Sequence, residues 1–178
     1  APLVARFTRS RDSLGRAIHS VARFARSRDR PSSLFLEMVG QPLRRVGHKG
    51  ADLIAPGNTY ASFDAARAAG VDMIEFDVLP ERGSDRLLLA HDYEDAERRA
   101  PLTLEEGLAY LASDVFAGIE LDVDLKLPGY EEAVAHALRE AGLIGRALIS
   151  TQFRESLTQI RSLEPQLRLG WTVPKLRR

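Results

Sequence analysis

Four short stretches of the sequence carry side chains that could act together on one substrate. Two of them contain histidine, in His48-Lys49 and in His91-Asp92. Imidazole titrates near neutral pH, so one histidine can take a proton from an attacking hydroxyl while another donates a proton to a departing oxygen. A single histidine at the end of a strand is more often a structural residue than a catalyst. Two of them, together with nearby carboxylates, favour a catalytic site.

The other two stretches bring carboxylates close together. Glu75 and Asp77 lie two residues apart in an apolar run, and residues two apart on a strand point to the same face. Carboxylates about 6 to 7 Å apart along a strand repel each other unless a cation lies between them, and a divalent ion with oxygen ligands suits them. A later strand carries four charged residues on one face: Glu120, Asp122, Asp124 and Lys126. Singly, each pattern also fits a solvated strand face, but together they favour a metal site.

Alternating strand and helix patterns begin after Pro42 and must position these residues. The predicted strands are 45–47, 72–79, 86–91, 118–125, 146–150 and 167–173, and the predicted helices are 59–69, 104–112, 130–141 and 154–163. We expect Asn58 or Thr59 to cap the first helix, and Thr103 with Glu106 fits a capping box. This alternation predicts βαβ units and a parallel sheet, in which ligands bind at the carboxyl ends of the strands. The polar stretches lie at those ends.

Composition limits the classes of protein and site that the chain can represent. It has 178 residues, of which 44% are hydrophobic and 28% charged, as in ordinary globular proteins. It contains no cysteine, which excludes disulfides, thiolate metal ligands and a cysteine nucleophile. No apolar run approaches the roughly 20 residues of a membrane-spanning helix.

The first 30 residues differ in charge from the rest. They hold eight arginines and two aspartates, with apolar residues at helical spacing, which predicts an amphipathic basic helix. Such a helix can pack against the domain, lie on a membrane surface or serve as a targeting segment. We therefore expect a basic helical extension over residues 1–41, with peripheral membrane contact through residues 1–30 as one of its roles, and a separate domain over residues 42–178.

The order of the motifs resembles that of one known family. The stretches that carry the resemblance are His48-Lys49-Gly50, Pro56-Gly57-Asn58-Thr59, Ile74-Glu75-Phe76-Asp77-Val78 and His91-Asp92. They are similar to the HRG, PENT, IExDV and HD motifs of the glycerophosphodiester phosphodiesterases. The resemblance covers residues 44 to about 173.

The resemblance implies a fold and a reaction. The fold is a TIM-type (β/α) barrel of the α/β class, related to that of the phosphoinositide-specific phospholipases C. The reaction is metal-dependent hydrolysis of small-molecule glycerophosphodiesters to glycerol 3-phosphate and an alcohol, with calcium or magnesium as the divalent cofactor. We expect a cytoplasmic protein, peripheral to the membrane, with no nucleic-acid partner. Hydrolysis of lysophospholipids or another phosphodiester at a membrane surface, and non-catalytic phosphodiester binding, stay open as alternatives.

Residue by residue, the resemblance assigns three groups of roles. The general acid and base are His48 and His91, the metal ligands are Glu75, Asp77 and Asp124, and the phosphate-binding residues are Lys49 and Lys126. The attacking group is a neighbouring glycerol hydroxyl or water.

Three residues depart from the motifs of the family. Lys49 replaces an arginine, so a point charge stands in place of a planar guanidinium. Gly57 replaces a glutamate that could have paired with that arginine, so the two changes fit each other electrostatically. Asp124 replaces a glutamate and is one methylene shorter, which leaves Asp122 or Glu120 as substitute ligands on the same face.

Length predicts an incomplete barrel. A full (β/α)8 barrel takes about 250 residues, whereas the predicted domain covers residues 42–178 and six strands. We expect a fragment that lacks the final βα units, and a compact variant or a self-associating half-barrel are the other interpretations. An open sheet of this kind leaves its edge strands without a partner.

Overall fold

The structure, a computed structural model, describes residues 43–173, and the predicted basic helix within residues 1–41 lies outside them. The described residues form six strands: β1 Val46–Gly47, β2 Met73–Pro80, β3 Leu87–Leu88, β4 Glu120–Leu125, β5 Ala147–Thr151 and β6 Arg168–Trp171. They also form five α-helices: α1 Tyr60–Ala68, α2 Tyr93–Arg98, α3 Leu104–Leu111, α4 Glu131–Glu140 and α5 Arg154–Leu163. None of these helices is long and apolar enough to cross a membrane.

Five of the six strands form one parallel sheet. Their order is β1-β2-β4-β5-β6, and each pair of neighbours is parallel. This order follows the chain, as in the first part of a (β/α) barrel, but the sheet of the described residues is open, with β1 and β6 at its edges. The prediction of an incomplete TIM-type α/β barrel is confirmed. Apart from β3, each predicted element begins and ends within two residues of the observed one.

The predicted strand over residues 86–91 is wrong in length and in direction. β3 has two residues and pairs antiparallel with the end of β2, with Leu88 opposite Leu79. A parallel crossover takes on the order of a dozen residues, and the short connection here folds into a hairpin instead. Gly83 permits the turn, because its φ is 78°. His91 therefore follows a loop and not the carboxyl end of a parallel strand.

Helix α2 is missing from the sequence-based predictions. It has six residues, none of which is buried, so it lacks the apolar periodicity by which a helix is recognised. Asp92 caps it by accepting a hydrogen bond from the backbone N–H of Asp95 at 2.8 Å. Because Asp92 directly follows His91, this helix fixes the backbone beside the second histidine.

Both faces of β2 are buried, and the apolar face determines where the polar one points. Ile74 and Phe76 are fully buried in the hydrophobic core, where the Phe76 ring packs against Phe63 of α1 at a centroid distance of 6.0 Å. Burial of one such side chain contributes about 1.5–3 kcal/mol. Glu75 and Asp77 alternate with these residues and project to the opposite, interior face.

The helix caps agree with the sequence in part. Thr103 and Glu106 form the predicted capping box at α3. Thr59 caps α1, and Ser62 completes a second capping box there. Asn58, the other predicted cap of α1, points instead into the polar interior of the sheet, where it contacts Asp77.

Candidate active site

Three buried carboxylates meet between β2 and β4. Asp77 lies directly opposite Asp124 in the parallel register, and Glu75 precedes Asp77 by two residues on the same face. One carboxylate oxygen from each residue lies within 4.8 Å of the others. Their exposed fractions are 1% for Glu75, 0% for Asp77 and 5% for Asp124. We call these three residues the acidic centre.

The donor set of the acidic centre suits a hard divalent cation. Calcium and magnesium prefer oxygen ligands at about 2.0–2.6 Å, with carboxylates among the commonest. The three predicted metal ligands are the residues that the fold brings together. Asp124 joins the group despite its shorter side chain, because the register places it beside Asp77.

Lys126 compensates part of the negative charge. Its Nζ lies 2.6 Å from Asp77 Oδ1 and 2.7 Å from Asp124 Oδ2. Burial raises the pKa of Asp77, but Lys126, the Asn58 amide and Lys49 together outweigh it, and the pKa lies below its ordinary value. Burial lowers the pKa of Lys126, and the two carboxylates raise it by more, so the ammonium is charged at neutral pH.

Asn58 holds Asp77 in place and was not predicted to belong to the site. Its Nδ2 donates to Asp77 Oδ2 at 2.9 Å, and the backbone N–H of Asp77 donates to Asn58 Oδ1 at 3.1 Å. Asn58 is 1% exposed and has a φ of 59°. Asparagine tolerates this left-handed conformation better than most residues. Its position before a helix favours a cap, so the sequence signal pointed elsewhere.

Lys49 also adopts a left-handed backbone, with a φ of 49°. Its backbone N–H donates to Glu75 Oε2 at 2.7 Å, and its Nζ lies 3.9 Å from Asp77 Oδ2. Within residues 43–173, Lys49 and Asn58 are the two non-glycine residues with positive φ. Strained residues of this kind persist only where surrounding contacts enforce their conformation, and they cluster at functional sites.

Each predicted catalytic histidine contacts a carboxylate. Nδ1 of His48 lies 2.8 Å from Asp52 Oδ2, and Nδ1 of His91 lies 2.9 Å from Asp92 Oδ2. About half of each imidazole side chain is exposed. An ionised carboxylate can only accept, so Nδ1–H donates and Nε2 is left to exchange protons. The hydrogen bond from His91, with that from the Asp95 N–H, holds the pKa of Asp92 below its usual range.

A cleft of about 280 Å³ opens beside these residues. Its wall includes Lys49, Asn58 and His91, and α2 forms another side of it. His48 is not part of the wall, but its partner Asp52 is. The cleft therefore unites one predicted acid–base residue with one predicted phosphate-binding residue.

Glu120 and Asp122 do not substitute for Asp124. Glu120 begins β4, at the opposite end of the strand from the acidic centre, where Arg168 pairs with it at 2.9 Å. Asp122 lies outside the acidic centre and accepts a hydrogen bond from Ser150 Oγ at 2.7 Å. Ser150 also lies 3.2 Å from Asp124 Oδ1, so β5 adds a polar residue to the site that sequence reasoning missed. A serine within an apolar strand gives no functional signal by itself.

Solved structures share this architecture. A glycerophosphodiester phosphodiesterase from Parabacteroides distasonis matches with a TM-score of 0.61 and 17% identity, over 72% of this chain and 64% of that chain. One from Agrobacterium tumefaciens matches with a TM-score of 0.60 and 22% identity, over 72% and 66% of the two chains. A phosphodiesterase from Oleispira antarctica, in complex with the product sn-glycerol-3-phosphate, matches with a TM-score of 0.57 and 23% identity, over 75% and 68%.

The chain has the fold of the glycerophosphodiester phosphodiesterases. It spans less than two thirds of the length of the first two structures, since the match covers 64% and 66% of those chains. No family model and no curated protein matches the sequence. The resemblance seen in the motifs is therefore confirmed as a fold, and the activity must be argued from the site.

Proposed function

We propose that the chain carries the catalytic site of a metal-dependent glycerophosphodiester phosphodiesterase. The observation that carries this proposal is the acidic centre, in which one oxygen from each of three buried carboxylates lies within 4.8 Å of the others and Lys126 pairs with two of the three. Buried carboxylates repel one another, so such a cluster is costly unless cations compensate it. The acidic centre lies on the interior face of a phosphodiesterase fold, and a cation bound there for catalysis would explain why the carboxylates are clustered.

Glu75, Asp77 and Asp124 would hold the divalent cation, calcium or magnesium. When bound, the ion supplies positive charge that neutralises the phosphodiester oxygens. Asn58 keeps Asp77 oriented through its two hydrogen bonds. Lys126 and Lys49 provide further positive charge for the anionic substrate.

His48 and His91 would move the protons of the reaction. One takes a proton from the attacking hydroxyl at Nε2, and the other donates a proton to the departing alcohol oxygen. Asp52 and Asp92 hold the two rings in the tautomer that leaves Nε2 available. The products would be glycerol 3-phosphate and an alcohol, and the product-bound relative from Oleispira antarctica is consistent with this chemistry.

One assay tests this proposal. Release of glycerol 3-phosphate from glycerophosphocholine is measured with magnesium, with calcium and with chelator. We expect turnover that the chelator abolishes and that His48→Ala lowers by a factor of about 10²–10⁴. His136→Ala is the matched control, because His136 lies on α4 and belongs neither to the acidic centre nor to the wall of the cleft. A folded chain without metal-dependent turnover would contradict the enzymatic proposal and leave non-catalytic phosphodiester binding.

An exposed apolar pair favours a second candidate, hydrolysis of a lysophospholipid at a membrane surface. Leu53 is 89% exposed and Ile54 is 70% exposed. Both directly follow Asp52, the partner of His48, so a lipid chain or bilayer that covered them would lie next to the site. Under this second candidate, the protein would be cytoplasmic and peripheral to the membrane, as we expect from the sequence.

Binding to vesicles tests this second candidate. We expect phosphatidylcholine vesicles to sediment the chain and expect Leu53→Ser with Ile54→Ser to reduce the bound fraction. Val115→Ser, which changes another exposed apolar residue, at 61% exposure, is the control. Equal sedimentation of the unchanged chain, the Leu53→Ser and Ile54→Ser double variant and Val115→Ser would rule out the apolar pair as a lipid contact.

A further inference from the structure

Gly57 occupies a position where any side chain would overlap two residues of the site. A Cβ atom at this position would lie 2.7 Å from Lys49 Cβ, 3.1 Å from Lys49 Cδ and 3.2 Å from Asp52 Cβ. Carbon atoms in favourable contact are about 3.5–4.0 Å apart. The side chain of Lys49 therefore passes directly over Gly57, and a methyl group there would have to displace it.

Backbone conformation gives no other reason for a glycine at this position. The glycines with positive φ in the described part of the chain are Gly50, Gly70, Gly83, Gly129 and Gly142, and Gly57 is not one of them. The φ of residue 57 therefore does not exclude alanine. What matters is the missing side chain, because the space is already filled by Lys49.

The backbone of Lys49 cannot yield to such an overlap without cost. Its N–H donates to Glu75 Oε2 at 2.7 Å, and its carbonyl accepts the N–H of Asn58 at 3.0 Å. Glu75 belongs to the acidic centre, and Asn58 holds Asp77 of that centre through a hydrogen bond. The Cβ of Lys49 moves only with its backbone, so a methyl group on residue 57 would have to push Lys49 aside together with its backbone, and the ammonium would move with it.

We propose that Gly57 is a positioning residue that sets the location of the Lys49 ammonium and thereby the affinity of the site for phosphate. This inference rests on the proposed function, in which Lys49 binds the phosphate of the substrate. Lys49 lines the cleft, its ammonium lies 3.9 Å from Asp77 Oδ2, and its Cβ and Cδ pass close to Gly57. Lys49 and Gly57 both depart from the family motifs, and the two departures are then linked, because the Lys49 side chain occupies the space that a side chain at residue 57 would need.

The first test compares two glycine-to-alanine variants by calorimetric titration with inorganic phosphate in the presence of magnesium. Gly57→Ala is expected to weaken phosphate binding about tenfold, the effect of losing one hydrogen bond to a charged group. Gly118→Ala is the matched control, because no atom lies within 4 Å of a Cβ at that position and its φ is not positive. The control should bind phosphate as the unchanged protein does.

A double-variant cycle then asks whether Gly57 acts through Lys49. Lys49→Gly removes the two carbons nearest to a Cβ at residue 57 and suits the left-handed backbone at position 49. In the Lys49→Gly protein, adding Gly57→Ala should change neither the phosphate affinity nor the urea midpoint of unfolding. If Gly57→Ala alone does not fold, the double variant should fold and should bind phosphate as Lys49→Gly does.

Several outcomes would overturn the inference. Phosphate binding by a folded Gly57→Ala protein that equals that of the unchanged chain contradicts it. Equal losses on adding Gly57→Ala in both backgrounds show that Gly57 does not act through Lys49, and a double variant that stays unfolded shows the same. If the unchanged chain binds no phosphate, the proposed function itself fails, which is a different result from intact binding that ignores residue 57.

Discussion

The acidic centre and the loop between β1 and α1, residues 48–58, build the candidate site in different ways. The acidic centre uses regular strands, whose alternation and register bring three carboxylates together in the interior. The loop uses two non-glycine residues with positive φ, a steric contact at Gly57 and a half-exposed histidine. The sheet thus concentrates the charge, and the loop arranges the groups that would use it. Changes in the first region should alter both stability and metal binding, and changes in the second should alter metal binding or activity at nearly constant stability.

Lys126→Met should have the largest effect on stability. It leaves Asp77 and Asp124 without the ammonium that bridges them. Breaking a buried ion pair on one side costs about 3–5 kcal/mol, which urea unfolding at neutral pH would measure. Saturating magnesium should recover part of this loss, because a ligand of the folded state stabilises it.

A surface ion pair provides the control for Lys126→Met. Arg98 pairs with Glu94 on α2 with more than two thirds of both side chains exposed, and such pairs contribute about 1 kcal/mol or less. A loss with Lys126→Met as small as the loss with Arg98→Met would contradict the view that the acidic centre is a buried, charge-compensated cluster.

The pH dependence of unfolding sharpens the same contrast. The pKa of Asp77 is lowered in the folded chain, so its stabilising contribution is present above its ordinary value of 3.8 and is lost as the pH falls below it. The pKa of Lys126 is raised above 10.5, so its contribution is present below that pH and is lost as the pH rises beyond it. In Lys126→Met the burial of Asp77 dominates, and the free energy of unfolding should rise as the pH is lowered from 7 towards about 5. A variant that follows the unchanged protein over this range would contradict the proposed pairing.

Asn58→Gly should change metal binding more than stability. Glycine keeps the left-handed backbone but removes both side-chain hydrogen bonds to Asp77. Loss of a residue that orients a metal ligand typically lowers metal affinity about 10- to 100-fold, which calorimetric titration with magnesium would detect. Asn58→Ala adds backbone strain and should be less stable than Asn58→Gly. Unchanged magnesium affinity in Asn58→Gly would show that Asn58 does not orient the centre.

Asp92→Asn should have the smallest effect on stability and a clear effect on turnover. Its carboxylate is more than half exposed, so the ion pair with His91 contributes about 1 kcal/mol or less to folding. The amide can present its NH2 group to Nδ1 and favour the wrong tautomer of His91, which lowers kcat. Thermal unfolding and the glycerol 3-phosphate assay, run on the same preparation, measure both quantities. A large loss of stability with unchanged turnover would show that Asp92 serves the fold and not His91.

The two regions also differ in how well the sequence predicts them. Alternation in β2 and β4 places Glu75, Asp77 and Asp124 on one face, and this pattern is visible in the residues alone. The direction of β3 was predicted wrongly because the apolar run before His91 reads like any other buried strand, while the shortness of the preceding connection decides its pairing. Helix α2 was missed because it buries nothing.

The role of Asn58 shows the limit of local sequence signals most clearly. Asparagine before a helix predicts a cap, but Thr59 supplies that cap, and the left-handed backbone turns Asn58 towards Asp77. This contact joins residues that lie 19 positions apart. The same holds for Gly57, since the overlap with Lys49 depends on the path of a loop that composition and spacing do not specify.

The most direct test of the metal centre is calorimetric titration of the unchanged chain and of Asp77→Asn with magnesium and with calcium. We expect one site per chain in the unchanged protein and its loss in Asp77→Asn, while Asp114→Asn, which changes an exposed carboxylate outside the acidic centre, binds as before. A folded chain that binds neither ion, or binding that survives Asp77→Asn, would contradict the claim that Glu75, Asp77 and Asp124 form a metal centre.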